Sequence, residues 1–291
     1  MFELELEFVN KSKSRLSRRA FLRLVGGAAL IPSASWLYAA EMELRWLQVE
    51  HVSVSLPRLP RAFHGLTIAQ FSDLHIGPYI GAEEVRAAVE VVMDLKADLI
   101  VVTGDFVSSL LHNEAKVIET ELAPLSAPLG VYGIMGNHDW WNDRKVVRYA
   151  AEQAGLTMLQ NERVPLIRAD ETLYLAGLDD YWQGRTDLSN TLLGLPAEAP
   201  VIVLVHEPDY ADIATRDPRV LLQLSGHSHG GQVRLPFIGP LELPRYGHRY
   251  PLGLQKAGDL WVYTNRGIGV TGVPLRFNCR PEVTLLTLNA N

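Results

Sequence analysis

The sequence predicts an α/β fold built around a substantially parallel sheet. Three observations carry that expectation. Short, strongly apolar runs alternate along the chain with segments of helical spacing. Five of those runs deliver Asp, Asn or His directly to their carboxyl ends. The apolar fraction, 47% of 291 residues, is ordinary for a globular domain with a sizeable core.

In chain order, Leu66–Phe71 reads as a buried strand. Residues 82–95 read as a helix, with Val85, Ala88, Val89 and Val92 at helical spacing. Strands are expected at 99–103, 131–135, 201–205 and 220–224, a helix at 145–153, and shorter antiparallel strands within 156–178. The tail is again β-like at 260–264 and 283–288.

The charge is uneven. Residues 11–23 hold six basic side chains and no acid. Residues 1–40 carry a net +3, which leaves −9 for the remainder of a chain whose formal charge is −6. So acidic a body argues against a nucleic-acid partner. The single cysteine, Cys279, excludes an internal disulfide.

The basic stretch precedes an apolar run, Val25 to Ala40, the layout of a secretory signal. Ser17-Arg18-Arg19-Ala20-Phe21-Leu22 resembles a twin-arginine signal, which the translocase of that name reads to export folded proteins. Residues 1–40 are therefore expected to be a signal or an N-terminal membrane anchor. Residues 41–291 form the domain, placed outside the cytoplasmic membrane. A basic amphipathic helix on the domain surface is the alternative.

The residues directly after the strands point to chemistry. Phe71 leads to Asp73 and His75, Thr103 to Asp105, and residue 135 to Gly136-Asn137-His138-Asp139. Val205 leads to His206, and Leu224 to Gly226-His227-Ser228-His229. Ligands of open α/β sheets bind at the carboxyl edge of the strands. Asp73 and His75, two residues apart, project to one side of an extended chain, as do His227 and His229. A set of nitrogens and oxygens without thiolate suits Mn, Fe or Zn better than Ca or Mg. The ligands are too many for one tetrahedral ion, whereas two ions sharing a carboxylate account for the number. Any one of these motifs could be a turn or a core histidine; five in order at strand ends could not. His51, His64, His112 and His248 have no such surroundings and read as structural.

This order of motifs resembles the calcineurin-like metallophosphoesterases, over roughly Leu66 to Leu288. The resemblance implies two mixed β-sheets packed face to face with flanking helices. It implies one divalent transition metal ion on Asp73, His75, Asp105 and His229. A second would lie on Asp105, Asn137, His206 and His227, with Asp105 bridging. It also implies hydrolysis of a phosphoester by a hydroxide bridging the two metals. His138 would bind the phosphate or protonate the leaving oxygen, steered by Asp139; for Asp139 a helix N-cap is the plainer role.

Gly230-Gly231-Gln232, residues 235–240, residues 265–269 and Arg280-Pro281-Glu282 are similar to a bacterial branch. That branch holds exported or membrane-associated phosphodiesterases and the UDP-diacylglucosamine pyrophosphatases of lipid A synthesis. Aromatic and basic residues interleave between Phe237 and Tyr250, and Trp140, Trp141, Tyr181 and Trp182 lie near the motifs. They suit a small or lipid-linked phosphodiester, or simply a hairpin packed on the core. A metal-dependent binder of anionic headgroups without turnover is the reading of another class.

Overall fold

A computed structural model describes residues 35–290. Ser17–Leu22 and the apolar run as far as residue 34 lie outside the described residues. Two six-stranded mixed sheets form the body. In the first, β1 (Gln48–Leu56) and β14 (Glu282–Ala290) pair in parallel at one edge. The sheet continues through β2 (Leu66–Phe71), β3 (Leu99–Thr103), β4 (Val131–Ile134) and β5 (Thr157–Met158). The second runs β12 (Gly253–Ala257), β13 (Leu260–Thr264), β9 (Val220–Ser225), β8 (Val201–Leu204), β7 (Glu171–Gly177), β6 (Glu162–Arg168). Its central strands β13, β9, β8 and β7 are parallel, with antiparallel β12 and β6 at the edges. Most pairings are parallel, as the residues predict, and they are divided between the two mixed sheets that the resemblance implies, each with antiparallel pairs. Within residues 156–178 only β6 and β7 are antiparallel; β5 extends the first sheet in parallel with β4.

The strands read as unbroken apolar runs because both of their faces are buried. Leu99 and Val101 of β3 face the space between the sheets, while Ile100 and Val102 face the outer helices. Ile202 and Leu204 of β8 join that same inner layer, and Val201 and Val203 a third cluster outside the second sheet. Helices α1 (Ala82–Asp94), α2 (Glu114–Glu121) and α4 (Arg144–Gln153) cover the first sheet. The one-turn helix α3 (Asn137–Trp141) follows β4. Short helices α5 (Leu188–Thr191) and α6 (Ala211–Ala214) cover the second sheet.

At the carboxyl edge the interior turns polar. Gln70 Nε2 donates to Thr103 Oγ1 at 3.1 Å and to the Ser225 carbonyl at 2.9 Å, tying the two sheets together beside the site. Residues 38–45 also pack on the domain: the Arg276 amide donates to the Ala39 carbonyl at 3.0 Å.

Candidate metal centre

The five loops after β2, β3, β4, β8 and β9 meet at one point. Among the described residues, three groups bring ligand atoms within 4.8 Å of one another: Asp73, His75 and His229; His75, Asp105 and His138; Asp105, His206 and His227. Asp105 Oδ2 lies 3.5 Å from His75 Nε2 and 3.1 Å from His206 Nε2. Asp73 Oδ1 lies 3.4 Å from His229 Nε2. His75 and His229 face each other, Nε2 to Nε2, at 3.0 Å. All seven expected ligands are buried.

The loops achieve this at a conformational cost. Asp73, His75, Asp105, His227 and His229 all have φ between 48° and 70°. Left-handed backbone costs a non-glycine residue about 1–3 kcal/mol and concentrates at functional sites. Asp73 with His75, and His227 with His229, do not lie on the extended chain expected from their spacing: each side chain is aimed by a left-handed turn. Gly226 is required for space, because a Cβ there would collide with Ser72 Oγ and the Asp73 carboxylate.

Backbone carbonyls fix which ring nitrogens are free. The Thr103 carbonyl accepts from His206 Nδ1 at 2.7 Å, which leaves the Nε2 lone pair toward Asp105. The Arg245 carbonyl accepts from His227 Nε2 at 2.7 Å, leaving Nδ1. Asn137 Oδ1 is buried without a hydrogen-bond partner, and His206 Nε2 makes no well-formed hydrogen bond although Asp105 Oδ2 lies 3.1 Å away. Orphaned acceptors beside two carboxylates fit a cation.

The electrostatics agree. Burial pushes Asp73 up to about 7 and drives His75 down to about 3. Burial also lowers His227 and His229, helped by neighbouring His206 and His75 respectively. These three rings are neutral at pH 7 and ready to ligate. Burial would raise Asp105, yet His206, His138 and His75 hold it well below the usual carboxylate range. Burial would lower His206, but Asp105 and Asp73 hold it well above its ordinary value. Positive charge is thus favoured at His206 Nε2, and a divalent cation held there would supply it in place of a proton.

Asp139 does not steer His138. Its Oδ1 accepts from the Phe106 and Val107 amides at 2.9 and 3.2 Å, and its Oδ2 from the Gly136 amide at 2.9 Å. It sits in the first turn of α3 rather than at its N-cap. Burial and the Asp105 charge push it up to about 8. Its carboxyl staples the β3 and β4 loops together. His138 instead stacks against Trp141, ring centroids 4.6 Å apart, and its amide donates to Asp105 Oδ1 at 2.8 Å.

A cleft of about 610 Å³ opens over the centre, lined by Asn137, His138, Trp141, Trp182, Leu241 and Arg245 among others. The aromatics divide. Trp141 and Trp182 form one wall, whereas Trp140 donates to Asp179 Oδ1 at 3.2 Å and Tyr181 packs between Tyr210 and Tyr246. Phe237 and Ile238 neither pack on the core nor line the cleft. Sequence reasoning missed Glu207, whose carboxylate accepts from the Tyr181 and Trp182 amides, both at 2.9 Å, and so sets the Trp182 wall. Its place directly after His206 was the one signal for it. His51, His64, His112 and His248 belong to none of the three groups.

A model of the family described as calcineurin-like phosphoesterase matches residues 66–231, the span from β2 to the His229 loop. The chain belongs to this family. Among the relatives of this phosphoesterase is metallophosphoesterase YkuE of Bacillus subtilis (strain 168). It is 37% identical over 285 residues, which cover 95% of this chain and 99% of that one. Phosphodiesterase YaeI of Escherichia coli (strain K12) is 30% identical over 277 residues, 94% of this chain and 99% of its own. A solved dimetal phosphatase from Danio rerio superposes with a TM-score of 0.48 at 12% identity, over 77% of this chain and 99% of that one. As a calcineurin-like phosphoesterase the chain is a metal-dependent hydrolase, and the Asp and His groups above could hold a metal ion.

Proposed function

We propose that the chain is a dinuclear phosphodiesterase that uses Mn, Fe or Zn and acts on a lipid- or envelope-linked diester outside the cytoplasmic membrane. The observation that carries the dinuclear reading is Asp105, which belongs to two of the three groups and has its Oδ2 near both His75 and His206. Two divalent cations bound there would polarise the phosphoryl oxygens and make a water acidic enough to attack phosphorus in line. Asp73, His75 and His229 would hold one, and Asn137, His206 and His227 the other. Asp105 would lend its carboxylate to both and offset part of their charge. The residues of the cleft do the rest. Trp141 and Trp182 offer flat apolar walls for an organic arm, and Arg245 at the rim offers a cation for a phosphate oxygen. His138 faces the cleft beside Asp105 and is placed to give a proton to the departing ester oxygen while the water's oxygen bonds to phosphorus.

Turnover of bis-(p-nitrophenyl) phosphate with added Mn tests the reading; metal binding without turnover would leave the headgroup binder. The His138→Gln variant is expected to keep its metal and lose about 10²–10⁴-fold in rate on diesters with poor leaving groups. The loss should shrink for p-nitrophenol, which departs without a proton. An equal loss on both would assign His138 to phosphate positioning.

Export rests on the Arg18-Arg19 motif and the apolar run behind it. A centre assembled from five loops exists only in the folded chain, so transport after folding lets metal load beforehand. Arg18→Lys with Arg19→Lys is expected to strand active enzyme in the cytoplasm, because a receptor reads the arginines and not their charge. Fractionation decides: the double variant outside the membrane would remove the signal. Both forms inside and membrane-bound would favour the pyrophosphatase reaction.

A further inference from the structure

Beyond the metal loop, β10 (Arg234–Leu235) and β11 (Gly239–Pro240) form a hairpin that hydrolysis does not use. Its tip exposes Phe237 and Ile238, at 109% and 73%, and Leu241 beyond it is 60% exposed. Phe237 holds φ at 66°, a left-handed conformation that glycine adopts freely and an aromatic residue does not. A strained, protruding phenyl ring that packs on nothing is unfavourable in water and favourable in an apolar layer.

The position of the hairpin says which layer. Its root pairs with residue 277: the Arg234 amide donates to the Phe277 carbonyl at 2.8 Å, and the Phe277 amide to the Gln232 carbonyl at 3.0 Å. The Phe277 ring meets Tyr38 edge-on at 6.4 Å, and Arg276 holds the Ala39 carbonyl. Hence residues 38–39 meet the domain at the hairpin root, with Trp36 and Leu37 just before them exposed. Leu241 and Val273, both exposed, form the adjoining rim of the cleft.

We propose that this hairpin docks on a lipid bilayer. Phe237 and Ile238 enter the boundary between headgroups and acyl chains, and the Leu241–Val273 rim rests at the surface, so that the cleft opens onto the headgroups. A convex tip of one aromatic and one branched aliphatic side chain suits a fluid layer that needs no matching pocket. Exposed Trp36 and Leu37, next in the chain to Tyr38, bring a second apolar element to the same root. Residues 235–241 carry no charged side chain, so the contact of the tip is apolar and is expected to be insensitive to salt. This docking goes beyond the phosphodiesterase reading and does not depend on it.

The test uses the full chain carrying Ile238→Cys, labelled with a polarity-sensitive fluorophore. Cys279 is buried, so the label goes to position 238. The probe is a vesicle of phosphatidylethanolamine with a minor fraction of phosphatidylglycerol. The emission is expected to shift to the blue on vesicles, to be quenched by brominated acyl chains, and to persist when salt is raised about tenfold. A label on Leu193→Cys, an exposed apolar site outside this patch, is expected to stay in water. A 238 label that stays in water overturns the proposal, even if the chain binds vesicles through its N-terminal run. So does a blue shift that grows with protein concentration in the absence of vesicles, which would mark a second copy as the occupant. Turnover of soluble bis-(p-nitrophenyl) phosphate is measured on the same labelled chain. Its loss with the shift retained would count against the phosphodiesterase reading alone.

Discussion

Asp105→Asn is expected to abolish turnover and to cost the protein at least one metal ion. The Asp105 carboxylate has its Oδ2 between His75 and His206, at 3.5 and 3.1 Å, while its Oδ1 accepts from the His138 amide. Three histidines hold it well below the usual carboxylate range, so it stays charged across the working pH range. An asparagine must choose. If its oxygen takes the His138 amide, its NH₂ points at the ring nitrogens and at any cation between them, and the bridge is lost. If it turns round, the His138 amide is left facing a donor. In either arrangement two cations would repel each other across a neutral group. Removing a single donor that stabilises charge in a transition state costs about 10²–10³-fold, and loss of an ion should exceed that. Metal analysis and turnover of bis-(p-nitrophenyl) phosphate on the purified variant check this together. Two ions per chain with normal rates would remove Asp105 from the centre.

The parts of this site that were legible in the sequence share one physical origin. Strands β2, β3, β8 and β9 are buried on both faces, so each appears as an apolar run with a sharp polar end. The ligands occupy those ends. The edge strand β1 alternates instead, with Val52, Val54 and Leu56 inward and His51, Ser53 and Ser55 outward, and no apolar run announces it. Helix α2 is short and acidic, and buries little beyond Val117 and Ile118. The left-handed turns at Asp73, His75 and Asp105 were illegible because no local preference sets them: contacts between distant loops hold them, such as the Gly269 amide on the Asp73 carbonyl at 2.7 Å. The carbonyls of Thr103 and Arg245, which orient His206 and His227, belong to any residue type and leave no trace in sequence. Asp139 shows the converse. Its position beside His138 suggested a partner, yet the Gly136 amide at the start of its own helix and the Phe106 and Val107 amides of the neighbouring loop claim its carboxylate.

Replacing Arg276 with leucine is expected to destabilise the fold severely and to loosen the metal centre, although Arg276 touches no ligand. Its side chain is wholly buried and donates to backbone carbonyls: Nη2 to Arg266, Gly267 and Gly269 at 2.6–3.0 Å, and Nη1 to Cys279 at 3.0 Å. That guanidinium gathers the 266–269 loop, whose Ile268 and Gly269 amides donate to the Ser72 and Asp73 carbonyls at 2.9 and 2.7 Å. The loop in turn props the strained turn that aims Asp73. Leucine would leave the Arg266, Gly269 and Cys279 carbonyls without a donor, while the Gly267 carbonyl keeps the Glu282 amide at 3.1 Å. At about 1–3 kcal/mol for each orphaned group, and with some relief from entering water, the loss should reach roughly 4 kcal/mol or more. A lysine has one point charge where the fork presents five donors over two carbonyl clusters, so Arg276→Lys should rescue only part of it. Urea unfolding of the metal-free protein measures the stability. Titration of the still-folded fraction with Mn measures the Asp73 side of the centre. An unchanged urea midpoint would mean that the loop stands without its guanidinium. Normal Mn affinity in a destabilised variant would mean that the Asp73 turn does not depend on the loop behind it.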